Sequence, residues 1–184
     1  MSDYRLTTER CALRKLSRDD ADHVWSAAHT PGFTDGMLWN PPKDYDEMHA
    51  FTDSALLLWD QRKKMIWTIE DKETGAFIGR AEISHHDDDP EHFWHIGYWI
   101  HPTQQGKGYA TEAAKAIVHF AFDQFGAHAV EATHAPWNMA SGRIMQKIGM
   151  KHQGLVKDKV VKDGQPRDSE VYLINREDWM KKVT

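Results

Sequence analysis

Between residues 65 and 125 the hydrophobic pattern changes period, and the change falls at a glycine-rich turn. Before the turn come three β-type runs, 65–71, 77–85 and 93–100, separated by Glu73-Thr74-Gly75 and Asp87-Asp88-Asp89-Pro90. After it, Ala110, Ala113, Ala114, Ile117, Val118, Ala121, Phe122 and Phe125 recur at helical spacing, and Gly126 supplies a stop. The junction itself reads Ile100-His101-Pro102-Thr103-Gln104-Gln105-Gly106-Lys107-Gly108-Tyr109-Ala110-Thr111. Gly106 and Gly108 leave successive backbone N–H groups unscreened. The helix start adds about half a positive charge, so a phosphate or pyrophosphate is a natural guest. A tight strand-to-helix turn with no ligand has the same composition, and glycine content alone does not separate the two.

The remaining elements follow from local signals. Residues 10–16 read as a first strand with Cys11 and Leu13 on one face. Ser17 and Asp20 resemble a capping box ahead of Ala21, Val24, Trp25 and Ala28. Residues 29–43 hold two Gly and three Pro and read as loop. Asp44 and Glu47 open a second helix in which Met48, Phe51, Ala55, Leu58 and Trp59 share a face. A strand over 129–133, a helix over 138–148 ending at Gly149, and two strands around Asp163-Gly164 close the chain. The order β-α-α-β-β-β-α-β-α-β-β is an α+β arrangement. It calls for a mixed, mostly antiparallel seven-stranded sheet with about four helices, in one domain over residues 1–184 with its core at about 8–180.

Composition removes several function classes. Acids outnumber bases 28 to 23, against the basic excess of a nucleic-acid binder, and an amine is the better substrate guess. The single cysteine, Cys11, allows neither an intrachain disulfide nor a cysteine-only zinc site and points to a reducing compartment such as the cytoplasm. The longest apolar run, Ala55 to Trp59, is far below the ~20 residues of a membrane helix, and residues 1–5 lack the apolar stretch of a signal peptide. His85, His86, Asp87, Asp88, Asp89, His92 and His95 look like a metal cluster. They lack helical i, i+4 spacing and read as a solvated hairpin turn, so no metal is expected.

Two phosphate-binding motifs are tested and fail. Lys107 lies between the glycines, which removes a Walker A loop, and Thr111 stands where a dinucleotide fold needs its third glycine. A third pattern fits. Gln105-Gly106-Lys107-Gly108-Tyr109-Ala110 matches Q-x-x-G-x-A. Asn138-Met139-Ala140-Ser141, continuing through Lys147-Ile148-Gly149-Met150, matches N-x-x-S-x-x-x-x-x-K-x-G-F with Met150 for the last residue. Both motifs, with Ile96-Gly97-Tyr98-Trp99-Ile100 ahead of the loop, resemble the GCN5-related N-acetyltransferases, in particular their ribosomal-protein N-acetyltransferase-like (RimJ/RimL-type) branch. The element order agrees over nearly the whole chain.

The resemblance implies an acetyl-CoA-dependent transfer of acetyl to a primary amine, by direct attack on the thioester and without an enzyme nucleophile. It implies that the amides of Gly106, Lys107, Gly108, Tyr109, Ala110 and Thr111 hold the pyrophosphate, with Gln105 also in the cofactor site. It also implies that the strand before the loop bulges and splays, so that Tyr98, Trp99 and Ile100 pair with the pantetheine arm. Asn138 would cap the following helix and touch that arm. Base candidates are Glu131, acting through a water, and His95; His134 reads as a solvated loop histidine. The helix tyrosine that serves many relatives as an acid is replaced by Met145, and Ser141 is the best substitute. Trp39 and Trp137 fall in loops on the acceptor side, and the loop over 30–43 is expected to choose the acceptor. A protein N-terminus is the expected acceptor, because an α-amine (pKa ~7.7–8.0) loses its proton far more readily than a lysine (~10.4). A polyamine, aminoglycoside or other small amine is the alternative, and a non-catalytic acyl-CoA sensor a further one. A monomer or homodimer is expected, with no nucleic-acid or membrane partner.

Overall fold

A computed structural model describes residues 4–86 and 89–183. Its elements are β1 (Leu6–Thr7), β2 (Cys11–Lys15), α1 (Ala21–Ala28), α2 (Tyr45–Asp60), β3 (Lys64–Asp71), β4 (Phe77–His86), β5 (Asp89–Ile100), α3 (Tyr109–Phe125), β6 (Ala129–His134), α4 (Met139–Ile148), β7 (Lys151–Lys162), β8 (Gln165–Asn175) and α5 (Arg176–Val183). One sheet runs β1-β2-β3-β4-β5-β6-β8-β7. Its neighbours are antiparallel except β5 and β6, which are parallel and joined through α3.

The described residues hold eight strands and five α-helices, not seven and four. Strand β1 has two residues, too few to show a period. Helix α5 follows β8 without a spacer and is mostly polar. Trp179 anchors it by packing on Phe122, and Arg176 Nε donates to the Ala127 carbonyl at 3.2 Å. In α2 the apolar face is Met48, Ala55 and Trp59, with Thr52 buried among them. Phe51, expected on that face, is 48% exposed. Asp89 and Pro90, expected in a turn, lie in β5; Asp87 and Asp88 lie outside the described residues.

Strand alternation sorts the sheet into two chemically distinct faces. Cys11, Leu13, Trp67, Ile69, Ala81, Ile83, Trp94 and Ile96 are buried against Ala113, Ala114, Ile117, Val118 and Ala121 of α3. A ladder of rings (Trp59, Trp67, Phe120, Tyr4) extends this core to the sheet's edge, with centroids 5.0–5.2 Å apart. The opposite face carries Arg14, Thr68, Arg80, Glu82 and His95 under α1 and α2. Leu16, Ala55 and Ile66 form a smaller apolar cluster there, and Val24, Met48 and Phe77 another.

Asp20 ties that polar face to α1. The capping box read from Ser17 and Asp20 is present: Ser17 N donates to Asp20 Oδ2 at 3.0 Å, and the Ser17 side chain caps the following single-turn helix. The same carboxylate accepts from Arg14 Nη2 at 2.6 Å and Thr68 Oγ1 at 2.5 Å, and lies 3.8 Å from Arg80 Nη2. Burial alone would raise the Asp20 pKa, but Arg14, Thr68 and Ser17 outweigh it and hold the carboxyl below its usual range. Removing one partner of a buried ion pair leaves the other uncompensated.

Asp20→Asn is therefore expected to cost about 3 kcal/mol of stability in urea melts, since Arg14 and Arg80 lose their shared anion. The contribution of Asp20 is fully present above its ordinary carboxylate pKa of ~3.9. It is lost only as pH falls below that value, through the lower native one. The gap between wild type and variant should thus persist from pH 7 to about pH 5 and close in stronger acid.

Candidate active site

The sheet opens where β5 and β6 part. Their pairing runs from Phe93↔Ala129 to Ile96↔Ala132 and stops, while β5 stays paired with β4 as far as Ile100↔Gly79. Gly97, Tyr98, Trp99 and Ile100 thus keep one neighbour and lose the other. Backbone groups on the freed edge are those that strand addition uses. The splay expected of this strand is present. The expected bulge is not: the β4–β5 register is unbroken from Ile100 to Trp94 and shifts only between His85 and His86. Divergence from β6 alone opens the cleft.

The glycine turn lies at the end of the same strand. Gly106 and Gly108 have φ of +77° and +87°, the left-handed region that favours glycine. Gly108 caps α3 without a side-chain acceptor, and the turn is exposed. Thr111 N donates to the Gly108 carbonyl at 3.1 Å, so the amides of Gly106 to Ala110 are the more available ones. Gln105 Nε2 donates to the Ile100 carbonyl at 3.1 Å and fastens the turn to the strand. Lys107 Nζ donates to Gln104 Oε1 at 2.8 Å.

Arg10, which the sequence reading passed over, supports the turn from the β1–β2 connection. Its Nη1 donates to the Lys107 carbonyl at 3.0 Å, its guanidinium lies over the Tyr109 ring, and it pairs with Glu112 at 2.9 Å. Glu112 places a negative charge in the first turn of α3, and Thr8 Oγ1 and Arg10 N also donate to it, at 2.5 and 2.7 Å. Burial pushes the Glu112 carboxyl up, but these donors hold it below its usual range. It is ionised at neutral pH and neutralised by Arg10.

On the α4 side of the cleft, Asn138 caps the helix as expected, its Oδ1 accepting from Ser141 N at 3.3 Å. The Tyr98 hydroxyl lies 3.1 Å from Ser141 Oγ and 3.2 Å from the Ser141 carbonyl. Burial pushes the Tyr98 phenol up to about 12. A strand tyrosine thus meets Ser141 one helical turn from Met145, which is buried. His134, read from sequence as a solvated loop residue, is 6% exposed at the end of β6 and lines the cleft.

The cleft and the space on the α1–α2 side form one open cavity of about 1470 Å³. His95, Gly97, Trp99 and Thr133 line it, with Trp39 and Trp137 from the loops. Trp99 packs against Phe33, Trp39 and Phe77. The loop between α1 and α2 roofs the cavity and is fastened from the far side. Lys162 Nζ donates to the Thr34 carbonyl at 2.6 Å, Asn40 bonds Asp163, and Trp137 lies so close over Gly36 that a Cβ there would meet it at 2.8 Å.

His95 and Glu131 are register partners across β5 and β6. Burial lowers the His95 pKa, with Glu131 and Glu82 acting against it, so the ring is neutral at neutral pH; it lines the cavity with Nε2 3.5 Å from Thr133 Oγ1. Glu131 is 7% exposed, stands beside His95 on the neighbouring strand and is paired with Lys159 at 3.1 Å. Lys159 was missed by sequence reading, because only the register shift of β7 between Val156 and Val160 brings it across the sheet. His85 ends the strand read over 77–85 and lies in β4, with its ring edge-on to Trp94. Among the described residues no three His, Cys, Asp or Glu side chains are placed to hold a metal, and no helix is long and apolar enough to cross a membrane.

Comparison with known proteins agrees with this architecture. The chain is 28% identical to the ribosomal protein uS5-alanine N-acetyltransferase of Escherichia coli, over 95% of this chain and 92% of that one. It is 40% identical to an uncharacterized N-acetyltransferase of Bacillus subtilis, YnaD, over about half of each chain. The fold matches a putative ribosomal-protein-serine acetyltransferase from Vibrio cholerae with a TM-score of 0.81 at 21% identity, covering 94% of this chain and 98% of that one. It also matches a RimL ribosomal-protein acetyltransferase solved with coenzyme A, with a TM-score of 0.79 at 15% identity, covering 92% and 96%. Residues 10–151 match the acetyltransferase (GNAT) domain model. With the parted strands, the glycine turn and the motif order all in agreement, the chain belongs to the GNAT acetyltransferase family and is an acyltransferase.

Proposed function

We propose that the protein transfers the acetyl group of acetyl-CoA to the N-terminal α-amine of a protein or peptide. The carrier's diphosphate lies on the amides of Gly106 to Ala110 at the start of α3. Its pantetheine arm takes the place beside Tyr98, Trp99 and Ile100 that β6 vacates, and its thioester reaches the cavity past Asn138 and Ser141. A fold neighbour solved with coenzyme A supports this reading.

The cavity lining carries the choice of acceptor. Asp35, Glu47, Glu82, Asp163 and Asp168 are interspersed with Lys43, Lys64, Arg80, Lys162 and Arg167, and three tryptophans share the wall. A polyamine or aminoglycoside calls for clustered acids. Mixed charges with aromatic walls suit a peptide, which offers one cation, backbone dipoles and apolar side chains. The uS5-alanine acetyltransferase relative points the same way.

In the reaction the amine nitrogen attacks the thioester carbon, the N–C bond forms and the C–S bond breaks. His95 takes the amine's proton, and Glu131 beside it stabilises the imidazolium. Ser141, with Tyr98 behind it, faces the departing thiolate. A thiol of cysteine-like pKa, ~8.5, leaves without a strong acid, which fits Met145 at the helix position.

Peptide N-termini, polyamines and aminoglycosides offered with acetyl-CoA should separate by thiol release: peptides turn over and the small polycations do not. Turnover of small amines alone would overturn the peptide reading. Gly108→Glu should abolish coenzyme A binding in calorimetry, because the position is left-handed, a Cβ there would stand 3.4 Å from Arg10 Nη2, and the turn would gain a charge opposed to phosphate. Arg10→Ala, which leaves Glu112 unneutralised at the helix start, should weaken coenzyme affinity about tenfold. His95→Gln should lower kcat at least about a hundredfold with coenzyme affinity intact. Glu131→Gln should lower kcat less and move the acid limb of the kcat profile to lower pH, since the carboxylate raises the His95 pKa. Complete loss of that limb in Glu131→Gln, with His95→Gln active, would make Glu131 the base instead.

A further inference from the structure

We propose that Arg80 selects the acceptor: its guanidinium, in the floor of the cavity, takes the carboxylate of an aspartate or glutamate that follows closely behind the α-amine of the incoming peptide. This rests on the peptide reading above and names the class of peptide.

Arg80 is a buried cation whose hydrogen bonds are unmade. It is 6% exposed, yet it lines the cavity. Its carboxylate neighbour is Asp20, whose Oδ2 lies 3.8 Å from Nη2, beyond hydrogen-bond distance. Its Nε is enclosed and has no partner. A guanidinium carries five N–H donors, and buried polar groups are nearly always bonded. The oxygens that would meet this one are missing among the described residues, and the cavity is where a ligand can supply them.

The contrast with Arg14 shows that Arg80 is not needed to satisfy Asp20. Arg14, Thr68 and Arg80 stand in one row across β2, β3 and β4. Arg14 reaches Asp20 at 2.6 Å and Glu70 at 2.7 Å, so both of its sides are taken. Asp20 also accepts from Thr68 Oγ1 and Ser17 N. That carboxylate is fully engaged without Arg80. Burial lowers the Arg80 pKa, Asp20 opposes this and Arg14 adds to it, so one more anion is welcome there. A carboxylate suits the planar fork best, because it accepts two parallel N–H···O bonds where a main-chain carbonyl accepts one.

The register sets the distance from the reacting amine. Arg80 pairs with Trp99, and His95 lies four residues earlier on the same strand and the same face. At ~3.3 Å per residue the two stations are about 13 Å apart along the floor. Gly97 lies between them and has no side chain to block the way. An extended peptide whose α-amine meets His95 brings an acidic side chain to Arg80 from about its third residue.

The test uses the full chain, acetyl-CoA and peptides of one sequence that carry Asp, Asn or Ala at position two, three or four, read by thiol release. The wild type should prefer Asp to Asn at one of these positions, the third being expected, by about tenfold in kcat/KM and mostly through KM. Arg80→Gln should erase that ratio, while the Asn peptide still turns over and coenzyme A affinity in calorimetry is unchanged. A merely structural Arg80 would lower turnover of all the peptides alike and keep the ratio. Turnover of the peptides without preference at any position, or a preference that survives Arg80→Gln, overturns the role of Arg80 and leaves the peptide reading standing. Turnover of small amines with none of the peptides overturns both. If Arg80→Gln does not fold, Arg80→Lys keeps the charge beside Asp20 without the fork and should cut the ratio; an unchanged ratio there overturns the proposal.

Discussion

The molecule depends on one interruption. The sheet is continuous from β1 to β7 except where β5 and β6 stop pairing after Ile96 and Ala132. Unpaired strand edges inside a sheet are costly, because each buried N–H and C=O wants a partner. Here the interruption is held open by the chain on either side. β5 stays tied to β4 through Ile100, and Gln105 pulls the strand's end into the glycine turn. β6 is drawn the other way by β8, which pairs with it out to His134. In the function proposed above, such a fork is a receptor for the carrier's arm made mostly of main chain.

That origin explains what the sequence could reveal. The turn at Gly106 and Gly108, the caps at Ser17, Asp44 and Asn138, and the long apolar stripe of α3 are local, and each was legible because neighbours in sequence satisfy one another. Asp44 Oδ1 takes Glu47 N at 2.8 Å, which is the start signal in physical form. What stayed hidden involves residues far apart in the chain. Arg10 meets the turn from nearly a hundred positions upstream, and Lys159 reaches Glu131 only through a register shift in β7. His134 read as loop because it follows the strand read over 129–133 and leads to Asn138, yet β6 pairs with β8 as far as His134, which is buried. Helix α5 escaped notice because its stability comes from Trp179 on Phe122, not from an apolar stripe.

The two proton-handling candidates show the same division. Glu131 stands out by its place on the strand after the main helix, and His95 by its residue type. Only the register shows that they stand side by side on one face of the sheet, with the histidine lining the cavity. Burial lowers the histidine pKa and the two carboxylates raise it, so its basicity is a balance set by long-range pairing.

The two halves of the site are built from different material, and they should diverge differently. The carrier half proposed above consists of backbone amides, glycines and strand edges, which tolerate substitution of most side chains around them. The acceptor half is a roof of loop residues fastened by side chains from the β7–β8 hairpin and the β6–α4 connection: Lys162 to Thr34, Asn40 to Asp163, and Trp137 on Gly36. Each fastening crosses between elements that the sheet does not otherwise hold together. A change at any of them moves the roof without touching the fork, so acceptor choice can drift while carrier binding stays fixed. Relatives that share the fork at low identity are thus expected to agree on the carrier and differ in the amine.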